Sequence, residues 1–241
     1  TLASLEKNPY SPLRQLLPYY DLVLTYGGGQ PVIDKYMSLG AVNCIPVYNA
    51  LDAETHYPVS QDRKFSGDLA FLGNRLPDRE ARVNEFFIKP ASLLPGKRFL
   101  LGGNGWQNKQ VTSNINYLGH IYTKDHNAFN SSPEAVLNIS RESMGYSPAT
   151  RVFEAAGAGA CLITDAWEGI EQFLEPGSEV LVAHSGDEVA EILDRLDRRT
   201  ARRIGRAARK RVLSEHTYTL RARQVEKILT EQIKTNHYVK L

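Results

Sequence analysis

Hydrophobic and polar positions follow each other along the chain in blocks typical of buried strands and amphipathic helices. Short apolar runs predict strands that are buried on both faces of a sheet. These runs lie at residues 21–26, 44–49, 68–74, 98–104, 114–121, 135–140, 160–165 and 179–183. Stretches of helical periodicity separate several of the runs. Strands that alternate with helices predict a parallel sheet with right-handed crossovers.

Proline and glycine positions indicate where the predicted helices begin and end. Pro31 suits the first turn of a helix that reaches about Tyr36. The segment "DREARVNEFFIKPASLL" predicts a helix with a break at Pro90, since proline removes a helical hydrogen bond. Three further helices, at about 186–196, 199–213 and 217–235, close the chain.

The predicted elements divide the chain into two series of strands. Residues 1–50 carry two strands and are predicted to be the C-terminal portion of an N-terminal Rossmann-like domain. Residues 51–66 are polar and aperiodic and predict an interdomain linker. Residues 67–215 predict a complete doubly wound domain, and 216–241 a helix that packs back on the first portion. In such sheets, ligands bind at the carboxyl ends of the strands.

Composition narrows the function classes. The 241 residues are 42% hydrophobic and 23% charged with a net charge of +2, so no nucleic-acid partner is predicted. No apolar run approaches the roughly 18 residues of a membrane span. Cys44 and Cys161 lie in apolar runs and are predicted to be buried thiols, which favours the cytoplasm. The chain begins at Thr1 rather than Met, which leaves open that it is a fragment lacking an acceptor domain.

The segment "SPATRVFEAAG" predicts an amphipathic helix with one polar stripe. Ser147 suits the N-cap and Pro148 the first helical position. On a helical wheel, Ser147, Thr150, Arg151 and Glu154 share one face, opposite a face of apolar residues. The helix start and Arg151 together would attract an anion.

Glu154 lies about 9–10 Å along the helix axis from its start, taking ~1.5 Å per residue. That distance is on the order of the separation between a pyrophosphate and the ribose of the same nucleotide, and a carboxylate can accept two hydrogen bonds from a diol. The alternative is a solvated ion pair between Arg151 and Glu154 at i, i+3. Spacing alone leaves both interpretations open.

The segment "SPATRVFEAAGAGACLITDAWEGIEQFLEPGSEVLV" resembles the donor-binding signature of GT-B glycosyltransferases of the group 1 type, closest to the spore-maturation CgeB-type branch. "DLAFLGN", "INYLGHIY" and "HTYTLRARQVEKIL" extend the resemblance, and "DLVLTYGGG" resembles the end of the N-terminal domain. The resemblance implies a GT-B-like architecture of Rossmann-type doubly wound sheets. It also implies transfer of a sugar from a nucleotide-diphosphate sugar to a saccharide, lipid-linked or protein acceptor. A non-catalytic nucleotide-sugar-binding or interaction module, or an epimerase of the same fold, is the alternative.

The resemblance also assigns roles to residues of this chain. Glu154 matches the glutamate that binds the nucleotide ribose. Arg75 and Arg79 would neutralise the diphosphate leaving group, and His120 is the candidate acid or base. The other positions assigned to donor binding are Gly73, Asn74, Gly119, Ile121, Tyr146, Ser147, Ala149, Thr150 and Arg151. The six histidines show no metal-ligand spacing, so neither a metal nor a cofactor is predicted.

One position departs from the group 1 pattern. Tyr146 stands eight residues before Glu154, where the pattern has a second glutamate that contacts the sugar. The nearest upstream acid is Glu142. The sugar-contacting glutamate is therefore missing, shifted or replaced by Tyr146 and Gly145, which leaves the sugar and the stereochemistry of transfer open.

Two more segments carry alternatives. Residues 198–211 hold eight basic residues in fourteen, with Arg198, Arg202, Arg206 and Lys210 on one stripe. The stripe is either a solvated helix face or a weak docking site for an anionic membrane at the inner face. "GGGQPVID" at 27–34 is either a strand-to-helix turn or a contact to the sugar or acceptor in the cleft. Trp106 either packs in the core or stacks on a base or sugar.

Overall fold

The computed structural model describes residues 2–141 and 146–239, which form two parallel sheets. The smaller sheet pairs β1 (Val23–Thr25) with β2 (Cys44–Pro46). The larger sheet contains β3 (Leu69–Leu72), β4 (Phe99–Gly102), β5 (Ile115–Gly119), β6 (Ala135–Asn138), β7 (Leu162–Asp165) and β8 (Leu181–Ala183). Its order is β5-β4-β3-β6-β7-β8 with every pair parallel, the doubly wound Rossmann order. The predicted fold class is thus confirmed, and the order in which strands are added to the sheet changes direction between β3 and β6.

Ten α-helices connect and flank the strands within the described residues. They are α1 (Leu2–Lys7), α2 (Pro12–Leu16), α3 (Gln30–Ser38), α4 (Pro77–Val83), α5 (Lys89–Leu93), α6 (Thr123–Ser131), α7 (Thr150–Gly157), α8 (Gly186–Arg195), α9 (Arg198–Glu215) and α10 (Tyr218–Val239). Short 3₁₀ turns lie at Leu17–Tyr19, Arg63–Phe65 and Ile170–Gln172. The sequence pattern did not predict α1, α2 or α6.

The predicted break at Pro90 is wrong. The helix runs on from α4 through a π-helical turn, Asn84–Ile88, into α5. In that turn the Lys89 N–H donates to the Asn84 carbonyl oxygen, five residues back. The wider turn shifts the hydrogen-bond register just before Pro90, so the missing proline N–H does not interrupt the helix.

Apolar side chains fill both faces of the larger sheet. All four residues of β3, β4, β6 and β7 are buried. Phe87, Phe99 and Ile163 belong to the core on one face, and Phe153, Leu162 and Val180 to a core cluster on the other. Both cysteines are buried and free. None of the helices in the described part of the chain has the length and hydropathy of a membrane span.

The predicted linker is held against α6 by side-chain hydrogen bonds. The Asn127 side chain accepts from the Tyr57 N–H at 3.2 Å and donates to the Thr55 carbonyl oxygen at 2.9 Å.

The C-terminal helix contacts the N-terminal portion through two side-chain hydrogen bonds. In α10, Arg221 donates to the Tyr48 carbonyl oxygen at 3.2 Å, and Gln232 donates to the Asp21 carbonyl oxygen at 3.5 Å. The domain boundaries stay a prediction.

Candidate functional site

A polar cavity of about 370 Å³ opens at the carboxyl ends of β3, β4 and β5. Its lining includes Gly73, Asn74, Arg79, Gly103, His120, Ile121, Thr123, His126 and Arg151. Five strand-end or helix positions predicted from the sequence therefore meet there with Arg151 from α7. No carboxylate lines the cavity in the described part of the chain. The lining accordingly favours an anionic ligand.

Two glycines let the turns after β3 and β4 approach each other closely. Gly103 has a φ of +119°, and a Cβ there would lie 2.3 Å from the Gly73 carbonyl oxygen. A Cβ on Gly73 would lie 2.7 Å from an Arg79 guanidinium nitrogen. The buried Trp106 indole N–H donates to the Gly73 carbonyl at 2.7 Å. Trp106 thus packs in the core and fixes the turn, rather than facing a ligand.

Arg79 is the half-buried cation of the cavity. Its pKa lies below the ordinary value because of burial first and then the nearby Arg141. Arg151 also lowers the pKa of Arg79, whereas the nearby Asp78 and Asp165 raise it. Arg141 is itself paired with Asp78 at 2.7 Å. The buried Arg79 Nε has no hydrogen-bond partner among the described residues. Crowded cations with an unpaired donor are a ready site for a phosphate.

Arg75 lies beside this group but is not part of the cavity lining. Its Nε and Nη2 donate to the two oxygens of Glu80 at 2.9 and 2.8 Å. Lys109 donates to the same carboxylate at 2.8 Å, and the two cations hold the Glu80 pKa at about 2. Arg75 is therefore already paired and does not join Arg79 as a second cation available to a ligand.

His120 and Ile121 line the cavity, and Gly119, which precedes them at the end of β5, is not part of the lining. Gly119 has a φ of +69°, and its carbonyl accepts from the Gly103 N–H at 2.8 Å. The His120 Nδ1 lies 3.4 Å from the Asn104 Nδ2, and its exposed ring meets the edge of Tyr122. The Asn74 side chain accepts from the Asn104 N–H at 2.9 Å. Polar backbone and side-chain groups thus surround the mouth of the cavity.

The helix α7 begins later than predicted. Its N-cap is Ala149 and its first residue is Thr150, and Ala149 provides no side-chain cap. Ser147 is not the N-cap, because its hydroxyl donates to the Tyr26 carbonyl oxygen at 2.7 Å and is buried there. The opposite face of the helix is buried, as predicted, through Val152 and Phe153. Its first turn still presents backbone N–H groups near Arg151.

Glu154 lies between Arg151 and a histidine from the linker. One carboxylate oxygen accepts from the Arg151 Nη1 at 3.1 Å, and the other lies 4.0 Å from the His56 Nε2. The Glu154 side chain is 15% exposed and that of Arg151 is 40% exposed. The ion pair between Arg151 and Glu154, which was the alternative interpretation of the sequence, therefore forms. Glu154 is nevertheless largely enclosed rather than solvated.

His126 is a cavity residue that the sequence pattern missed. Its ring stacks on His56 with centroids 6.3 Å apart, and its Nε2 lies 3.2 Å from the Ile121 carbonyl oxygen. Burial, followed by Arg151, lowers the pKa of His126. The sequence offered little indication of it, because His126 lies in a polar segment after β5 that carries no helical periodicity.

Tyr146 faces the glycine-rich turn of the N-terminal portion. It has a φ of +59°, and a Cβ on Gly29 would lie 2.7 Å from its ring. A hydrogen bond to the Glu168 side chain raises the Tyr146 pKa. Glu142 and Gly145, the other candidates for the sugar contact, lie outside the described residues.

A second cavity of about 280 Å³ lies at the opposite, amino-terminal edge of the sheet. Its lining mixes Arg98, Arg198 and Arg202 with Asp68 and Glu134. Its three arginines exceed its two acids by only one charge, and ligand sites of such sheets belong to the other edge. Within the described residues, no group of three or more His, Cys, Asp or Glu side chains is arranged to hold a metal. Metal independence stays a prediction.

Comparison with known proteins identifies the family. A family model described as "Glycosyl transferase-like" matches residues 79–227, more than half of the chain. The chain belongs to this glycosyl transferase-like family. The match begins at Arg79 and covers α7, so the cavity's two arginines both lie within the glycosyl transferase-like region. A search of curated proteins found no match.

Solved structures share the fold of this glycosyl transferase-like chain at low sequence identity. HepE from Anabaena in complex with UDP-glucose is 15% identical, with 96% of this chain and 70% of HepE covered and a TM-score of 0.70. Sucrose-phosphate synthase from Thermosynechococcus elongatus is 15% identical over 92% of this chain and 61% of its own, with a TM-score of 0.70. A glycosyltransferase from Rickettsia africae is 12% identical over 96% and 67%, with a TM-score of 0.66. These matches show the GT-B glycosyltransferase fold.

Proposed function

We propose that the chain is the donor-binding part of a metal-independent glycosyltransferase that moves a sugar from a nucleotide-diphosphate sugar to an acceptor. The observation that carries the proposal is the cavity at the carboxyl ends of β3–β5, where Arg79 and Arg151 line the space without a carboxylate. HepE, which has the same fold, is known in complex with UDP-glucose. A uridine diphosphate sugar is therefore the first donor to test.

In this proposal Arg79 and Arg151 bind the diphosphate, with Arg141 close by. Guanidinium groups bind phosphate oxygens in a bidentate manner. The Ala149–Thr150 turn adds the free N–H groups of the α7 start. When the bond between the sugar and the diphosphate breaks, negative charge grows on the leaving oxygen, and the arginines stabilise it. Arg75 does not bind the diphosphate in this proposal. Its two hydrogen bonds to Glu80 hold the start of α4 in place.

We assign the ribose to Glu154. In the free protein Arg151 occupies one of its oxygens. A bound diphosphate would draw the Arg151 guanidinium toward itself, and the freed carboxylate could then accept hydrogen bonds from both ribose hydroxyls. The low exposure of Glu154 would strengthen such bonds, because little water competes for the carboxylate.

The base and the sugar occupy the two sides of this diphosphate site in the same proposal. The base binds mainly to backbone groups of Gly119, His120 and Ile121. Gly73 and Asn74, at the end of β3, complete this side of the site. Tyr146, held beside Gly29 and Glu168, faces the sugar and takes the place of the second glutamate. Only the backbone of His120 belongs to the base pocket, and its exposed side chain at the mouth of the cavity remains the candidate acid or base.

The acceptor is assigned to a further domain. Large side chains of the N-terminal portion are exposed, including Tyr10 at 82% and Tyr19 at 83%. A two-stranded parallel sheet buries too little surface to be stable alone, so we propose that more of an N-terminal domain covers β1 and β2 and carries the acceptor site. On this view the chain as given binds donor and turns over little.

Two finer assignments belong to the proposal. The 147–182 signature supports the spore-maturation CgeB-type branch among group 1 enzymes. The free, buried thiols of Cys44 and Cys161 support a reducing compartment, the cytoplasm.

Isothermal titration with UDP, UDP-glucose and a panel of other nucleotide diphosphates and their sugars tests the proposal. We expect one of them to bind, and Glu154→Gln to weaken that binding by about tenfold or more, the value of a lost charged hydrogen bond. Glu171→Gln removes an exposed carboxylate away from the cavity and is the matched control. Absence of binding by every ligand would refute the donor site.

A transfer assay separates the enzyme from its alternatives. A glycosyltransferase releases free nucleotide diphosphate when an acceptor is added, and a binding module never does so. An epimerase would convert the bound sugar without any acceptor, which NMR of the incubated nucleotide sugar would reveal.

A further inference from the structure

Helix α9 carries exposed basic side chains on the face opposite its packing. Ala201, Ile204, Gly205, Ala208 and Val212 are buried against the rest of the domain. At 100° per residue, the exposed cations fall within an arc of roughly 100° on the other side. We call them the basic stripe: Arg199, Arg202, Arg203, Arg206 and Lys210. The stripe is roughly 16 Å long, at ~1.5 Å per residue.

Four of the five acidic residues that precede the stripe are engaged elsewhere, and the fifth, Asp194, lies exposed in α8. Asp197 caps the helix by accepting from the Thr200 N–H at 2.8 Å, and it also lies near Arg199. The other pairs are Asp187 with Lys89, Glu188 with His184 and Glu191 with Arg195. Among the described residues, no side chain of the stripe forms an ion pair within 4.0 Å. The stripe therefore keeps most of its positive charge at the surface, although Asp197 lies near Arg199 and Arg202 shares the second cavity with Asp68 and Glu134.

The surroundings of the stripe favour a lipid bilayer over a single-stranded nucleic acid. Leu213 lies on the same face, less than one turn beyond Lys210, and is 36% exposed. An exposed apolar side chain can enter the boundary between headgroups and acyl chains. Helix α9 has no aromatic residue, which proteins use to stack on unpaired bases.

We propose that the basic stripe docks the protein flat on an anionic lipid bilayer. The apolar face of α9 is already buried, so the attraction is electrostatic apart from Leu213, and it weakens with salt. Helix α9 also packs directly against α7. Docking would therefore hold Arg151 and Glu154 at a fixed height above the membrane. The proposal rests on surface charge and is independent of the proposed donor site.

Vesicle co-sedimentation tests the proposal with the full chain. The protein is mixed with vesicles of phosphatidylcholine alone or of phosphatidylcholine and phosphatidylglycerol, at low and at physiological salt. The test variant is Arg202→Gln/Arg203→Gln/Arg206→Gln/Lys210→Gln. The control variant, Lys7→Gln/Arg63→Gln/Arg223→Gln/Lys227→Gln, loses the same charge from exposed positions outside the stripe.

We expect the unmodified protein to bind only the anionic vesicles, and less at higher salt. Each lost cation should lower the partition coefficient about fivefold, so the test variant should lose several hundred-fold and the control far less. Equal loss in both variants would show that net charge alone acts and would overturn the proposal. No binding to anionic vesicles, or tighter stripe-dependent binding to duplex DNA in a fluorescence titration, would also overturn it. Unchanged far-UV circular dichroism and thermal midpoints establish that both variants are folded.

Discussion

Gly205 in α9 offers a sharp test of the packing that positions the candidate site. Glycine inside a helix ordinarily costs about 1 kcal/mol relative to alanine, so Gly→Ala is expected to stabilise. At this position, however, a Cβ would lie 2.1 Å from the Gly159 carbonyl oxygen and 2.9 Å from the carbonyl group of Ala160. These are backbone atoms and cannot rotate away.

The clash should outweigh the gain in helix propensity. Overpacking of a well-packed core costs typically about 1–3 kcal/mol, and this contact is shorter than any that real Cβ atoms make. The upper part of that range, about 2–3 kcal/mol, therefore applies here, and after subtraction of about 1 kcal/mol of propensity we expect Gly205→Ala to lower the free energy of unfolding by about 1–2 kcal/mol. Because α9 packs on α7, the same change should also disturb Arg151 and Glu154.

Urea unfolding followed by far-UV circular dichroism measures this effect. The midpoint should fall with an unchanged slope against urea. Gly96→Ala is the matched control, since a Cβ there meets no described atom within 4 Å, and its midpoint should stay the same or rise slightly. A rise of the Gly205→Ala midpoint would refute the close packing of α9 on the turn after α7.

Two further predictions concern buried polar groups. Asp165 is fully buried and accepts hydrogen bonds from the Ser140 N–H at 3.0 Å and from Arg82. Asp165→Ala leaves Arg82 unpaired and should lower the free energy of unfolding, measured in urea, by about 3–5 kcal/mol. A cost below about 1 kcal/mol would contradict this pairing. Burial, then Arg221, lowers the pKa of His216 from 6.5 to about 4, so the unfolded chain binds a proton first as pH falls. Stability should therefore decline from about pH 6.5 to about pH 4 by up to about 3 kcal/mol, and His216→Gln should show a smaller decline over that range; equal declines would remove His216 as the cause.

The strand pattern predicted the sheet well because parallel strands buried on both faces are short apolar runs. Helix α6 escaped prediction for the converse reason. Seven of its nine residues are polar or charged, and its buried Asn127 is satisfied by the distant Tyr57 and Thr55. Such long-range hydrogen bonds leave no periodic trace in the local sequence.

The sequence predicted the site residues that lie on one helix. It predicted less well the residues whose partners come from distant segments of the chain. The polar face with Arg151 and Glu154 follows from helical spacing alone. Ser147 looks like an N-cap locally, but the Tyr26 carbonyl from the N-terminal portion takes its hydroxyl. Arg75 looks like a free cation until the fold brings Glu80 and Lys109 around it.

The affinity of UDP for two arginine variants tests the central claim most directly. Arg79 lies in the cavity with a donor that is unpaired among the described residues, whereas Arg75 is already paired with Glu80. By isothermal titration, Arg79→Gln should weaken UDP binding by about tenfold to a hundredfold, the value of a hydrogen bond to a charged group. Arg75→Gln should change it by no more than about threefold. Loss of affinity in Arg75→Gln alone, or in neither variant, would contradict a diphosphate site built on Arg79.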